Sequence, residues 1–326
     1  MNEDAIGGYF GLELPAAHGE LLPDAMCFQS SRAAFLALLR AHRPTAVWMP
    51  WYVCDSMLEP VRTAGIPIRR YEIDDRFRVV SASPTANEWL LYVNYFGLCA
   101  NNVDDVLHRF SAEQVIIDNS QAFFAGPEAC LATLYSPRKF FGVPDGGYLV
   151  TKLPVPIPED MDDGSAGRSA HLLKRWANGA EAGYADYASA EAGLHLQEPK
   201  QMSALTRQIL ARIDYADVRA RRIANFAFLD TALRHINRPV FDESGWGDGA
   251  PLCYPLFGAP DGTRDALARE RVYTPCYWPD VAVDHSAPRA ERRIAESALF
   301  LPCDQRLSRP QLERVAYLLL KRLEQS

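Results

Sequence analysis

Lys139 stands in the stretch Tyr135 to Thr151, YSPRKFFGVPDGGYLVT, behind a short apolar run at Cys130 to Tyr135 and ahead of a Pro-Asp-Gly-Gly turn that opens a second run at Tyr148 to Thr151. A lysine just past a strand, with Ser136 before it and Gly146-Gly147 after it, is well placed to condense with an aldehyde. A desolvated amine of lowered pKa is a good Schiff-base nucleophile. Upstream, Asp118 closes the apolar run Val115-Ile116-Ile117 and opens the tetrapeptide DNSQ, so a carboxylate and Gln121 follow a second strand end. A carboxylate so placed can hold a proton on the ring nitrogen of a Schiff-base cofactor. Taken singly, each residue has a plainer reading: a loop lysine is a solvated charge, and an Asp closing a strand is a helix cap or turn former. The combination carries the chemistry.

Read together, these residues resemble the DegT/DnrJ/EryC1/StrS family, the pyridoxal-phosphate-dependent sugar aminotransferases of fold type I. The resemblance runs through IGGYFGLEL at Ile6 to Leu14, SSRAAFLALL at Ser30 to Leu39, IIDNSQAF at Ile116 to Phe123 and LFLPCDQRL at Leu299 to Leu307. Its specific centre is the pattern of Asp, then Gln three residues later, then Lys before Gly-Gly, met by Asp118, Gln121, Lys139 and Gly146-Gly147. The resemblance implies that Lys139 binds the pyridoxal phosphate aldehyde and that Asp118 keeps the pyridinium protonated. It also implies that Gln121 lies on the cofactor ring, with Trp51 or Tyr52 covering the opposite face; burial in an aromatic core is the alternative for those two rings.

Three departures from the family pattern are visible. The chain has Ser30-Ser31-Arg32 where the family usually has Ser-Gly-Thr, and after Pro50 it has Val53-Cys54 where the family has threonine and an aromatic residue. Ser136 is three residues before Lys139, closer than the family's phosphate-binding serine, so it either bonds the phosphate or starts the turn before Pro137. The helix beginning at Ser31 offers free N–H groups and a partial positive charge to that phosphate, and Arg32 could add a charge-assisted bond.

The elements that must position these residues follow from periodicity. SRAAFLALLRAH from Ser31 reads as an amphipathic helix with a serine cap. Strands are expected at Ala46 to Met49, Ile66 to Ile73, Trp89 to Asn94 and Val115 to Ile117. Helices are expected at Asp55 to Ala64, broken near Pro60, and at Val103 to Phe110. This alternation predicts an α/β layer with a mainly parallel sheet and helices on both faces. In such sheets ligands lie beyond the carboxyl ends of the strands, where Trp51-Tyr52, Asn94, Asp118 and Lys139 all fall.

Further on, Leu153 to Asp163 reads as a surface connection, Ala170 to Tyr187 as helix and Gln201 to Ile236 as one extended or bent helix. A smaller C-terminal α/β domain is then expected, with strands near Leu252 to Phe257 and Arg271 to Tyr277. Its helices fall near Thr263 to Glu270, Arg289 to Ser297 and Arg309 to Leu323. The expected division is an N-terminal arm at 1–30, a large cofactor-binding domain at 31–215, and a linker helix with the small domain at 216–326.

The 326 residues are 48% hydrophobic and 23% charged, an ordinary globular balance with length for a large core. A net charge of −7 with interspersed signs excludes a broad basic face, so no nucleic-acid partner is expected. The apolar runs are too short for a membrane span, and no leader segment is read. Seven cysteines without a C-x-x-C pair argue against a disulfide framework or structural zinc, and the seven histidines show no ligand spacing, so no metal is expected. The expected setting is cytoplasmic. The resemblance implies a homodimer with shared sites and an aminotransferase acting on a nucleotide-linked keto sugar, with an amino acid such as glutamate as donor. A sugar dehydratase or eliminase on the same scaffold, or a non-catalytic sugar-nucleotide or partner-binding member, are the competing readings.

Overall fold

In the computed structural model, which describes residues 6–238, 240–241 and 246–324, eight strands form one sheet. They are Met26–Phe28 (β1), Ala46–Pro50 (β2), Ile68–Ile73 (β3), Val79–Ser81 (β4), Glu88–Val93 (β5), Val115–Asp118 (β6), Ala132–Tyr135 (β7) and Gly147–Thr151 (β8). Their order is β1-β8-β7-β6-β5-β2-β3-β4. The centre, β3-β2-β5-β6-β7, is parallel throughout, and β8, β1 and β4 add antiparallel edges. Every residue of EWLLYV in β5 and of VIID in β6 is buried, as a parallel strand covered on both faces requires. The order reverses between β2 and β5, so the crevice at their carboxyl ends is a topological switch point.

The helix Ser31–His42 forms where its cap and stripe predict. The Ser30 hydroxyl accepts the Ala33 N–H at 3.1 Å, Phe35, Leu38 and Leu39 are buried, and Arg43 ends it in a left-handed turn. Asp55–Thr63 runs through Pro60 without the expected break. Proline removes a single N–H donor there, and burial of Pro60 and Val61 on the sheet outweighs that loss.

A second layer is built on Cys253–Leu256 (β9) and Leu299–Pro302 (β10), paired antiparallel, with helices Tyr215–Leu233 and Arg309–Glu324. Its core includes Leu229, Leu233, Leu256, Leu301, Leu312 and Leu319. Four expectations are corrected here. The long helix at 201–236 is two helices, Ala204–Leu210 and Tyr215–Leu233, because the Asp214 side chain caps the second by accepting the Asp217 N–H at 3.0 Å. The helix at 170–187 is divided at Gly179, whose φ of 90° no helix accommodates. Arg271 to Tyr277 forms no strand: Arg271 is left-handed, and it and Tyr273 bond Glu181 instead. The end of the expected arm is the edge strand β1; residues 6–20 have no regular structure, and the first five lie outside the described residues.

Candidate active site

Asp118 ends β6, opposite Val93 of β5 and Leu134 of β7. It is buried, and its Oδ1 accepts the Ser120 N–H at 2.8 Å. After β7 the chain makes one tight helical turn, Pro137–Lys139, with buried Ser136 ahead of it making no capping bond. Lys139 is exposed, while Phe140 beside it is buried. Asp118 and Lys139 therefore follow the carboxyl ends of adjacent parallel strands. The thiol of Cys54, at the start of Asp55–Thr63, senses both: burial pushes it up, the Lys139 ammonium pulls it down and the Asp118 carboxylate raises it further.

Gln121 is 1% exposed. Its Oε1 accepts the Phe96 N–H at 2.9 Å, while its Nε2 has no partner. The neighbouring Ser120 hydroxyl is likewise buried without one. Beneath them, the Asn94 amide donates to Asn119 Oδ1 at 3.1 Å, Asn94 Oδ1 accepts the Cys99 N–H at 3.2 Å, and the Asn119 N–H reaches the Leu134 carbonyl at 2.8 Å. These bonds tie the ends of β5, β6 and β7 into one platform.

The Gly-Gly pair has a steric reason. Gly146, at φ 122°, donates to the Gln29 carbonyl at 2.7 Å, and a Cβ on Gly147 would lie 2.1 Å from Ser30 C and Ser31 N. Only a residue without a side chain lets β8 start against the beginning of Ser31–His42. Asp145, one residue before, is fully buried. Its carboxylate accepts the Ser165 hydroxyl at 3.1 Å, the Ser203 hydroxyl at 2.7 Å, the Ser203 N–H at 2.8 Å and the Thr206 hydroxyl. The turn after Lys139 is thereby locked to Ala204–Leu210. Nothing in the sequence beyond Asp145's place in the Pro-Asp-Gly-Gly turn signals that role.

Two expected ligands are engaged elsewhere. Arg32 donates to the Leu194 carbonyl at 2.7 Å and pairs with Glu59 at 3.4 Å instead of standing free at the helix start. Ser31, half-buried, begins the helix that Ser30 caps. Tyr52 belongs to the core: its ring centre lies 4.4 Å from that of Trp278 and 5.8 Å from that of Tyr95, and its hydroxyl is buried without a partner. Trp51 lies under the Arg70 guanidinium at 5.2 Å. Among the described residues no cluster of His, Cys, Asp or Glu is arranged to hold a metal, and no helix is long and apolar enough to cross a membrane.

No protein-family model matches the sequence, and no curated protein matches it. Solved structures do. The sugar aminotransferase CalS13 from Micromonospora echinospora superposes with a TM-score of 0.62 over 92% of this chain and 87% of its own, at 19% identity. DesV from S. venezuelae, solved with a ketimine intermediate, gives 0.61 over 91% and 84%, at 20% identity. NtdA from Bacillus subtilis, solved with bound PMP, gives 0.64 over 92% and 73%, at 15% identity. The chain has the fold of these enzymes. That settles the architecture expected of it: a large, mostly parallel α/β sheet followed by a smaller C-terminal layer.

Proposed function

We propose that the protein is a pyridoxal-phosphate-dependent aminotransferase that moves an amino group from an amino acid such as glutamate to a keto sugar carried on a nucleotide, for surface-polysaccharide or related sugar biosynthesis. The observation that carries this reading is the placement of Lys139 and Asp118 after the ends of adjacent strands, on the fold of sugar aminotransferases. The residues present fit the cofactor: Gln121 Nε2 and the Ser120 hydroxyl are buried donors without partners, and Lys139, just past the end of the adjacent strand, is exposed.

Bound pyridoxal phosphate supplies an aldehyde for the migrating amine and a ring that accepts electrons as the substrate proton leaves. Lys139 Nζ would be the amine that holds that aldehyde, and as a free amine it would move the proton at the substrate carbon that bears nitrogen. Asp118, whose Oδ1 accepts the Ser120 N–H, would hold the proton on the ring nitrogen. Gln121 would lie against the ring, and the Ser136 hydroxyl with the start of Ser31–His42 would hold the phosphate.

We place the protein in the cytoplasm as a homodimer. Ile6, Tyr9 and Phe10 are 104%, 97% and 94% exposed in the single chain, an apolar arm suited to a second subunit. Sedimentation of an active monomer at assay concentration would refute the dimer. The reaction is tested by incubating the protein with pyridoxal phosphate, glutamate and nucleotide-linked keto sugars. The account expects an amino-sugar nucleotide by mass spectrometry, and 2-oxoglutarate formed in equal amount. Release of water or ammonia without an aminated product would support the eliminase, and no turnover of any such sugar would support a binding role.

A further inference from the structure

Arg222, on Tyr215–Leu233, is 2% exposed, and its hydrogen bonds run to backbone carbonyls rather than to a carboxylate. It donates to the Pro251 and Leu252 carbonyls, both at 3.2 Å and both just before β9, and approaches the Phe140 carbonyl at 3.5 Å. The guanidinium carbon lies 4.5 Å from the centre of the Phe140 ring. Burying a cation whose hydrogen bonds go only to carbonyls is unfavourable; burial pulls the guanidinium pKa down, and Cys303 and Asp304 nearby oppose that shift. Gln305, three residues past β10, donates to the same Phe140 carbonyl at 2.8 Å, and its own Oε1 is buried without a partner. Phe140 follows Lys139 directly, and its N–H closes the helical turn by bonding the Pro137 carbonyl at 2.9 Å.

We propose that Arg222 and Gln305 are positioning residues for Lys139: they grip the carbonyl of the next residue, and with it the turn that presents the amine. The presentation of Lys139 then depends on the seating of the linker helix and C-terminal layer. This rests on the reading of Lys139 as the lysine that condenses with pyridoxal phosphate. A role in folding alone would alter stability and leave the relative reactivity of Lys139 untouched.

The test measures, in the full-length protein, the rate at which pyridoxal phosphate and borohydride modify Lys139, resolved by peptide mass against Lys152 and Lys321 in the same sample. Gln305→Leu removes a donor and the unpartnered acceptor together, so its melting temperature should stay close to the parent's. Its Lys139 rate should fall about tenfold, the worth of one such hydrogen bond, with Lys152 and Lys321 unchanged. Arg222→Met should fall further, and Arg222→Lys should recover part of the loss. Competitive labelling of Lys139 by trinitrobenzenesulfonate across pH, without cofactor, should shift in the same variants. A parental Lys139 rate relative to the control lysines in Gln305→Leu overturns the proposal. Failure of the parent protein to label at Lys139 overturns the underlying reading instead, and the proposal with it.

Discussion

Glu291→Gln should turn a pH-dependent anchor into a pH-independent one. Glu291, on Arg289–Ser297, is fully buried, and its oxygens accept the N–H groups of Tyr52 at 2.5 Å and Ile73 at 3.0 Å, joining the C-terminal layer to the carboxyl ends of β2 and β3. Burial pushes its carboxyl from 4.5 up to about 7, against the pull of those two N–H groups; Glu72 raises it further and Arg70 opposes. The folded chain therefore holds this proton more tightly than the unfolded chain. The resulting stabilisation is complete below pH 4.5, fades as pH rises towards 7 and is absent above it. Across pH 5 to 8 the shift amounts to a loss of roughly 2.5 kcal/mol. Glutamine does not titrate, but it accepts only one of the two N–H groups and turns its own amide against the other, a loss of about 1–2 kcal/mol. At pH 5 the variant should be less stable than the parent by that amount; by pH 8 the difference should shrink to nothing or change sign. Urea unfolding of both proteins at each pH, followed by tryptophan fluorescence, cancels every other titrating group in the difference. A difference constant within about 0.5 kcal/mol from pH 5 to 8 would refute the reasoning.

Asp118→Asn should still bind pyridoxal phosphate at Lys139 but lose at least ~100-fold in transfer rate, because an amide cannot hold the ring nitrogen protonated; near-parental turnover would remove Asp118 from that role. Tyr52→Phe deletes a buried hydroxyl that has no partner, so it should leave turnover unchanged and stability equal or higher by up to ~1 kcal/mol. A large rise in the cofactor's dissociation constant would return Tyr52 to the ring. Gly147→Ala drives a Cβ to within 2.1 Å of the Ser30–Ser31 peptide, where backbone must move. It should lower unfolding free energy by at least ~3 kcal/mol or abolish soluble protein, and an unchanged melting temperature would contradict the packing described.

The sheet was legible because its central strands are continuous apolar runs that end in polar residues: Val115-Ile116-Ile117 before Asp118, and Trp89 to Val93 before Asn94. The helix at Ser31 announced itself through its cap and its stripe. What escaped depends on contacts distant in sequence. RAERRIAES at Arg289–Ser297 was legible as a helix, but the burial of Glu291 within it was not, because it docks more than 200 residues away. Arg271 to Tyr277 has strand-like composition, but β9 pairs with β10 instead. The break at Asp214 is a capping choice that apolar spacing alone does not register. At the site, the spacing of Asp118, Gln121 and Lys139 was visible. The pairing of Arg32 with Glu59 and the grip of Arg222 and Gln305 on Phe140 were not, because each is settled by a partner from another element; the burial of Tyr52 was one of two readings the sequence left open.

The central claim is that Lys139 condenses with pyridoxal phosphate, and the visible spectrum of the purified protein with added cofactor tests it most directly. The parent should show an absorption band that the cofactor-free protein lacks, and borohydride should bleach the band and leave the pyridoxyl group on the peptide containing Lys139. Lys139→Ala, folded as judged by circular dichroism, should show neither the band nor the modified peptide. A parent protein without the band, or one whose pyridoxyl group maps to another lysine, would contradict the account.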